Sequence, residues 1–124
     1  MKKATTIISI LLGIILIVFG LNKFLNFMPP MELATSGMEF MGALIKTGYM
    51  MTIVALVEII TGILIVINKY RALALVILFP VLLNALLFHV FLDPVNALPA
   101  VFAVAMNIFL MYTSKDRYQE LFKA

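Results

Sequence analysis

Glu58 stands inside an otherwise apolar run, Ala55-Leu56-Val57-Glu58-Ile59-Ile60. Inserting an ionised carboxylate into the centre of a bilayer costs about 3 kcal/mol on translocon scales, so such a residue is expected to pair, to bind or to move a proton. Five other polar side chains stand within or at the ends of comparable runs: Asn22, Lys23, Asn84, His89 and Asn107. Their chemistries are complementary. An ammonium can neutralise the carboxylate, an imidazole titrates near neutral pH and can hand on a proton, and the amides both donate and accept hydrogen bonds. Glu58 and His89 are therefore the candidate catalytic groups, as a proton relay. Lys23, Asn22, Asn84 and Asn107 are the candidate ligand-binding groups. A plainer reading stands beside each of these. Glu58, Asn84 and Asn107 would glue helices together, His89 would be an interfacial hydrogen-bonding residue, and Lys23 an anchor at a helix end.

The elements that must position these groups are long. Of 124 residues, 65% are hydrophobic and 12% charged, too apolar a composition for a soluble domain of this size to hide. Crossing ~30 Å of hydrocarbon takes about 20 apolar residues in a helix. Residues 4–24, 48–67 and 72–92 meet that length, and residues 97–113 make a shorter fourth run. The expected fold is an all-α membrane protein, a single domain over residues 1–124 built as a four-transmembrane-helix bundle. Met1-Lys2-Lys3 and the run behind it have the form of a signal peptide. The run continues to Phe24 with no small-x-small cleavage pattern after it, so an uncleaved first span is expected. Pro29-Pro30, the turn Asn68-Lys69-Tyr70-Arg71, and Asp93-Pro94 with Pro99 separate the runs. Between the first two, Met38, Met41, Leu44 and Ile45 recur at helical spacing. This predicts a short amphipathic or re-entrant segment over 31–46. Residues 114–124 form a polar tail, and Pro80 predicts a kink in the third run.

Charge supplies an orientation. Lys2, Lys3, Lys69, Arg71, Lys115, Arg117 and Lys123 fall on one side of the runs, Lys23 and Lys46 on the other. By the positive-inside rule the N- and C-termini and the middle turn are cytoplasmic. The net charge of +3 sits at these boundaries rather than along a stripe, so membrane lipids are the expected surroundings and no nucleic-acid partner is expected. The absence of cysteine excludes thiolate nucleophiles and cysteine-held clusters, and one histidine does not make a metal or haem site. Six of nine methionines, Met28, Met31, Met38, Met41, Met50 and Met51, lie close in sequence. Thioethers can hold copper(I), but they also fill irregular apolar surfaces, and that reading is preferred, with no metal expected. No phosphate loop, dinucleotide fingerprint or nucleophile triad is present.

In lipid, helices associate through small residues and polar bonds. Stripes of this kind are Thr6, Ser9, Gly13 and Gly20; Gly48, Thr52, Ala55, Glu58 and Gly62; and Asn96, Ala100, Ala103 and Asn107. Counting ~1.5 Å per residue puts Glu58, Asn84 and Asn107 at a similar mid-membrane level, with Asn22, Lys23 and His89 a turn or two nearer the outside. A polar pocket in the outer half, roofed by the 31–46 segment, is expected.

Certain motifs succeed one another in order: Phe19-Gly20-Leu21-Asn22-Lys23-Phe24, Thr47-Gly48-Tyr49, Glu58-Ile59-Ile60-Thr61-Gly62, and Asn84-Ala85-Leu86-Leu87-Phe88-His89 with Asp93-Pro94. In this order and with this helix count the chain resembles the DoxX family of small bacterial membrane proteins, from about Leu12 to Phe122. The resemblance implies a four-helix bundle in the bacterial cytoplasmic (inner) membrane, with family polar positions at Lys23, Glu58, Asn84 and His89. Some relatives are linked to thiosulfate:quinone oxidoreduction, others to membrane complexes handling oxidative or thiol stress. With no cysteine, a direct thiol role is not expected here. With no electron carrier of its own, neither is an enzyme acting alone. The resemblance thus implies a membrane subunit without intrinsic cofactor, binding a quinone or lipid beside a soluble oxidoreductase partner. Glu58 and His89 would relay protons, and Lys23 and Asn84 would orient the head group. The alternatives are a structural or chaperone-like subunit whose polar cluster only fixes the bundle, and a small transporter, which with four helices would require a homo-oligomer.

Overall fold

The computed structural model of the protein describes residues 2–29 and 32–124. Pro30 of the Pro-Pro break and Met31, the first residue of the expected amphipathic segment, lie outside the described residues. Five α-helices are arranged in order: α1 (Lys2–Leu25), α2 (Thr35–Lys46), α3 (Met50–Ile67), α4 (Arg71–Leu92) and α5 (Leu98–Thr113). A 3-10 turn, Pro94–Asn96, joins α4 to α5, and a 3-10 segment, Lys115–Phe122, comes after α5. No strand occurs among the described residues. Large aliphatic side chains such as Ile14, Ile53, Ile60, Leu73, Ile77 and Leu87 point outward. Apolar residues on every face mark helices that meet lipid, and α1, α3 and α4 are long and apolar enough to cross a membrane. The 16 residues of α5 reach about 24 Å at ~1.5 Å per residue. It attains span length only together with the 3-10 segment, from which it bends by 79°.

The helix limits reflect local chemistry. The second long helix begins at Met50 rather than Gly48, because Gly48 takes a φ of +81°, a left-handed backbone that only glycine adopts freely. The Thr47 hydroxyl donates to the Leu44 carbonyl at 2.7 Å and accepts the Met50 N–H at 3.1 Å, closing one helix and starting the next. The amphipathic helix starts at Thr35, so it is shorter than 31–46. Between α3 and α4, Asn68 and Tyr70 are both left-handed, with φ of 57° and 52°. The freed carbonyls of α3 are taken up there: Lys69 N–H donates to Leu64 at 3.1 Å and Arg71 Nε to Ile65 at 3.0 Å. The tail is docked rather than free. Tyr118 is buried and donates its hydroxyl to the Ala72 carbonyl at 2.7 Å. Burial pushes its phenol up, so it remains a donor at neutral pH.

The long helices pack in a cycle, α1 on α3, α3 on α4, α4 on α5 and α5 on α1, around Leu12, Leu16, Ile65, Leu75, Leu78 and Leu110. The α1–α3 contact is the most extensive. A Cβ on Gly62 would lie 2.9 Å from the Gly13 carbonyl oxygen, one on Gly13 2.8 Å from that of Gly62, and one on Gly20 3.1 Å from that of Ala55. These three glycines let the two antiparallel backbones touch. Ser9, Gly13, Gly20, Ala55, Glu58, Gly62 and Asn107 of the small and polar stripes are buried, but Thr6, Gly48 and Thr52 are exposed. Leu12 and Leu16 on α1, and Thr61 and Ile65 on α3, complete the buried faces. α4 is unbroken through Pro80.

Gly62→Ala is expected to destabilise the fold by about 1–3 kcal/mol, since backbone rather than a mobile side chain blocks the new methyl. Gly42→Ala in α2, where nothing lies within 4 Å, should instead be neutral or stabilise by up to ~1 kcal/mol through helix propensity. Thermal unfolding in micelles monitored by circular dichroism checks both; equal effects of the two substitutions would be inconsistent with the close contact.

Candidate functional site

The six candidate residues fall at separate places. The first place is the α1–α3 interface. Lys23, in the last turn of α1, reaches Glu58 in the middle of α3, with Nζ 2.6 Å from Oε1. Gly20, one turn earlier, makes this reach possible: the site where its Cβ would be lies 3.3 Å from the Glu58 Cβ, so nothing separates the helices at that level. The side chains are 21% and 10% exposed. The ammonium sits off the line of an aligned hydrogen bond to the buried Oε1, so the attraction is that of an ion pair. Two opposite charges in low dielectric are each costly alone and tolerable together.

The second place is the junction of α4, the 3-10 turn and α2. His89 Nδ1 lies 3.3 Å from Oδ2 of Asp93, four residues on. Asp93 is 2% exposed and both of its oxygens are engaged. Oδ1 accepts the Ala34 N–H at 3.0 Å, and Oδ2 accepts the Asn96 amide at 2.8 Å. Asn96 also donates to the Glu32 carbonyl at 3.0 Å, and the Ser36 hydroxyl donates to the Leu92 carbonyl at 2.9 Å. Phe88 packs between Phe40 and the imidazole, with ring centroids 5.3 and 4.9 Å away. Gly37 makes room for Phe88 and Asp93. The whole constellation fastens the start of α2 to the end of α4. The hydrogen bonds from Asn96 and from Ala34 hold the Asp93 carboxyl below the usual carboxylate range, and His89 adds to this.

The remaining candidates stand apart from Glu58. Asn22 Oδ1 accepts the Met28 N–H at 2.8 Å, which closes the end of α1 where Asn26 turns left-handed with φ 51°. Asn107 is fully buried and donates to the Leu75 carbonyl at 3.3 Å; its Oδ1 has no partner among the described residues. Leu75 lies four residues from the start of α4, near the end opposite His89, so Asn107 does not share the Glu58 level. A depth count that starts every helix at one plane puts it there, because such a count carries no offset between helices. Asn84 is exposed and makes no side-chain hydrogen bond among the described residues. The buried face of α4 runs through Ala74, Leu75, Leu78 and Leu82, and two residues beyond Leu82 is about 200° around the helix.

Glu58 and His89 thus have different partners, and no hydrogen bond or ion pair joins them among the described residues. Asp93 and Asn96 are the polar residues that the sequence does not single out as site groups. Asp93 reads there as part of a turn, although its i,i+4 spacing from His89 is visible. Two apolar grooves lie on the bundle. One of ≈ 270 Å³ runs between α3 and α4 beside Val57, Ile60 and Ile77; one of ≈ 400 Å³ runs between α1 and α5 beside Phe19, Phe102 and Met106. None of the six candidates lines either groove. Among the described residues no three His, Asp or Glu side chains converge as metal ligands. No family model matches the chain, and no curated protein and no solved structure is significantly similar to it.

Lys23→Met or Glu58→Leu alone should cost about 3 kcal/mol, because each strands a charge, while the double variant should lie closer to wild type than either single variant. Strictly additive unfolding free energies across the cycle would show that the pair is not coupled. Asp93 gives a pH dependence whose sign is set by its lowered value. Its contribution is complete above about pH 4, the unfolded carboxylate value, and is lost as pH falls through the lower folded value. The protection of α2 amides, relative to their intrinsic exchange at each pH, should therefore fall on acidification below that point, and Asp93→Asn should flatten the response; an unchanged acid profile in that variant would contradict the assignment.

Proposed function

We propose that this chain is a DoxX-like integral membrane subunit that binds the polar head of a quinone or lipid at the Lys23–Glu58 pair and serves a soluble oxidoreductase. In this reading α1, α3, α4 and α5 form a four-span bundle in a bacterial inner membrane. The N-terminus, the 68–71 turn and the C-terminal segment are cytoplasmic, and α2 lies across the outer ends. The observation that carries the reading is the ion pair itself. It lies between two lipid-facing helices, and its ammonium is partly open. The Lys23 ammonium is a donor for a quinone carbonyl or a lipid phosphate, and the Glu58 carboxylate can accept or return a proton as a bound quinone is reduced and reoxidised. The groove between α1 and α5 includes Phe19, one turn before Lys23 on α1, and offers an apolar bed for an isoprenoid or acyl tail. His89, held by Asp93, serves in this reading to position α2 rather than to relay protons, and Asn84 and Asn107 take no part.

A second reading is favoured by one observation. Asn22, His89 and Asn107 all contact groups of the chain's own, as in a structural or chaperone-like subunit with no ligand chemistry. The two readings separate in one experiment. After gentle purification in lipid nanodiscs, mass spectrometry should find a stoichiometric quinone or a lipid species in wild type and in His89→Ala that folded Glu58→Gln has specifically lost. Bulk phospholipid alone in all three would reject the ligand site and leave the structural reading.

A further inference from the structure

The end of the bundle where α3 turns into α4 carries basic residues that form no ion pair among the described residues. The Tyr118–Ala72 hydrogen bond of 2.7 Å lays the segment Lys115–Phe122 against the first turn of α4. Arg117 adjoins Tyr118 and Arg71 adjoins Ala72, so this one bond brings the arginines of two separate elements to the same end of the structure, where the Arg117 charge bears on Arg71. Arg71 is oriented by its Nε, which donates to the Ile65 carbonyl at 3.0 Å and leaves both terminal nitrogens free to donate. Among the described residues neither arginine forms an ion pair. Of the nearby carboxylates, Glu120 is engaged by Lys123 at 3.1 Å, and Asp116 forms no ion pair among the described residues, so the basic side chains outnumber them. Lys69 and Lys115 stand two residues before Arg71 and Arg117 and add to the field, with the Lys115 ammonium 4.7 Å from the centre of the Tyr112 ring.

Two guanidiniums gathered at one end can each offer a phosphate a fork of N–H donors, and its charge relieves their repulsion. Leu121 and Phe122 close the same segment and are 71% and 85% exposed, and the segment turns 79° away from α5. An apolar tip beside arginines on a helix lying across the bundle axis is the composition that enters a headgroup layer.

We infer that Arg71 and Arg117 form a clamp for the phosphate of an anionic phospholipid, with Leu121 and Phe122 seated among its acyl chains. The inference rests on the membrane-spanning reading above and is independent of Glu58.

The test uses the full chain in nanodiscs of phosphatidylcholine doped with phosphatidylglycerol, with native mass spectrometry counting the lipids retained. Wild type should keep one phosphatidylglycerol well above its share of the mixture. Arg117→Gln, which breaks no hydrogen bond of the fold, should lower that retention about fivefold, and the Arg71→Gln/Arg117→Gln double variant should reduce it to the level of the mixture. Glu58→Gln should retain it fully, so the lipid clamp and the Lys23–Glu58 site fail separately. Equal retention of the two lipids by wild type, or unchanged retention in a folded double variant, overturns the clamp. Displacement of the lipid by millimolar inorganic phosphate, with no remaining preference for phosphatidylglycerol, assigns the site to free phosphate and overturns the lipid. A chain that does not enter the bilayer overturns both this inference and the spanning reading.

Discussion

Two backbones in contact govern this structure. Lipid gives apolar helices no hydrophobic reason to associate, so what binds them is dispersion at short range and the few polar bonds that short range permits. Gly13, Gly20 and Gly62 remove the side chains that would hold α1 and α3 apart. Because the helices are antiparallel and touch at these levels, Leu12 and Leu16 are carried into the shared core and Lys23 is delivered to Glu58. The ion pair depends on the glycine contact: with the helices farther apart, each charge would face hydrocarbon unpaired, at a cost of several kcal/mol.

A different kind of tie holds the end where α4 meets α2. There the chain leaves regular helix, and exposed backbone groups need partners. Asp93 supplies one, taking the backbone N–H of Ala34 on one oxygen, while the Asn96 side-chain amide and His89 stand at the other. The result is a polar knot that fixes a short helix of modest intrinsic stability, 12 residues long, in a place its sequence alone would not choose. At the opposite end Arg71 performs the same service for the carbonyl of Ile65, and Tyr118 ties the C-terminal segment to the carbonyl of Ala72. The bundle is therefore stitched at three levels, and only the middle one, at Lys23 and Glu58, leaves a pair of full charges between lipid-facing helices.

In the proposed reading that middle level is where a ligand head would meet a donor and a proton acceptor already held together. The arginines at the α4 start are a second, electrically opposite case, in which the fold assembles like charges and leaves their neutralisation to the surroundings.

The helical class, the apolar length of three helices and the residues Gly13, Gly20, Glu58 and Gly62 as a contact face were legible in the sequence, because hydropathy and small-residue spacing are local properties that a helix preserves. What only the tertiary structure decided is which helix meets which, and at what height. Lys23 pairs with Glu58, His89 with Asp93 and Asn107 with the Leu75 carbonyl, while Asn84 is turned outward. A depth count measures position along each helix separately. The offset and rotation between helices come from the packing of glycines, leucines and turns on one another, and no single helix contains that information.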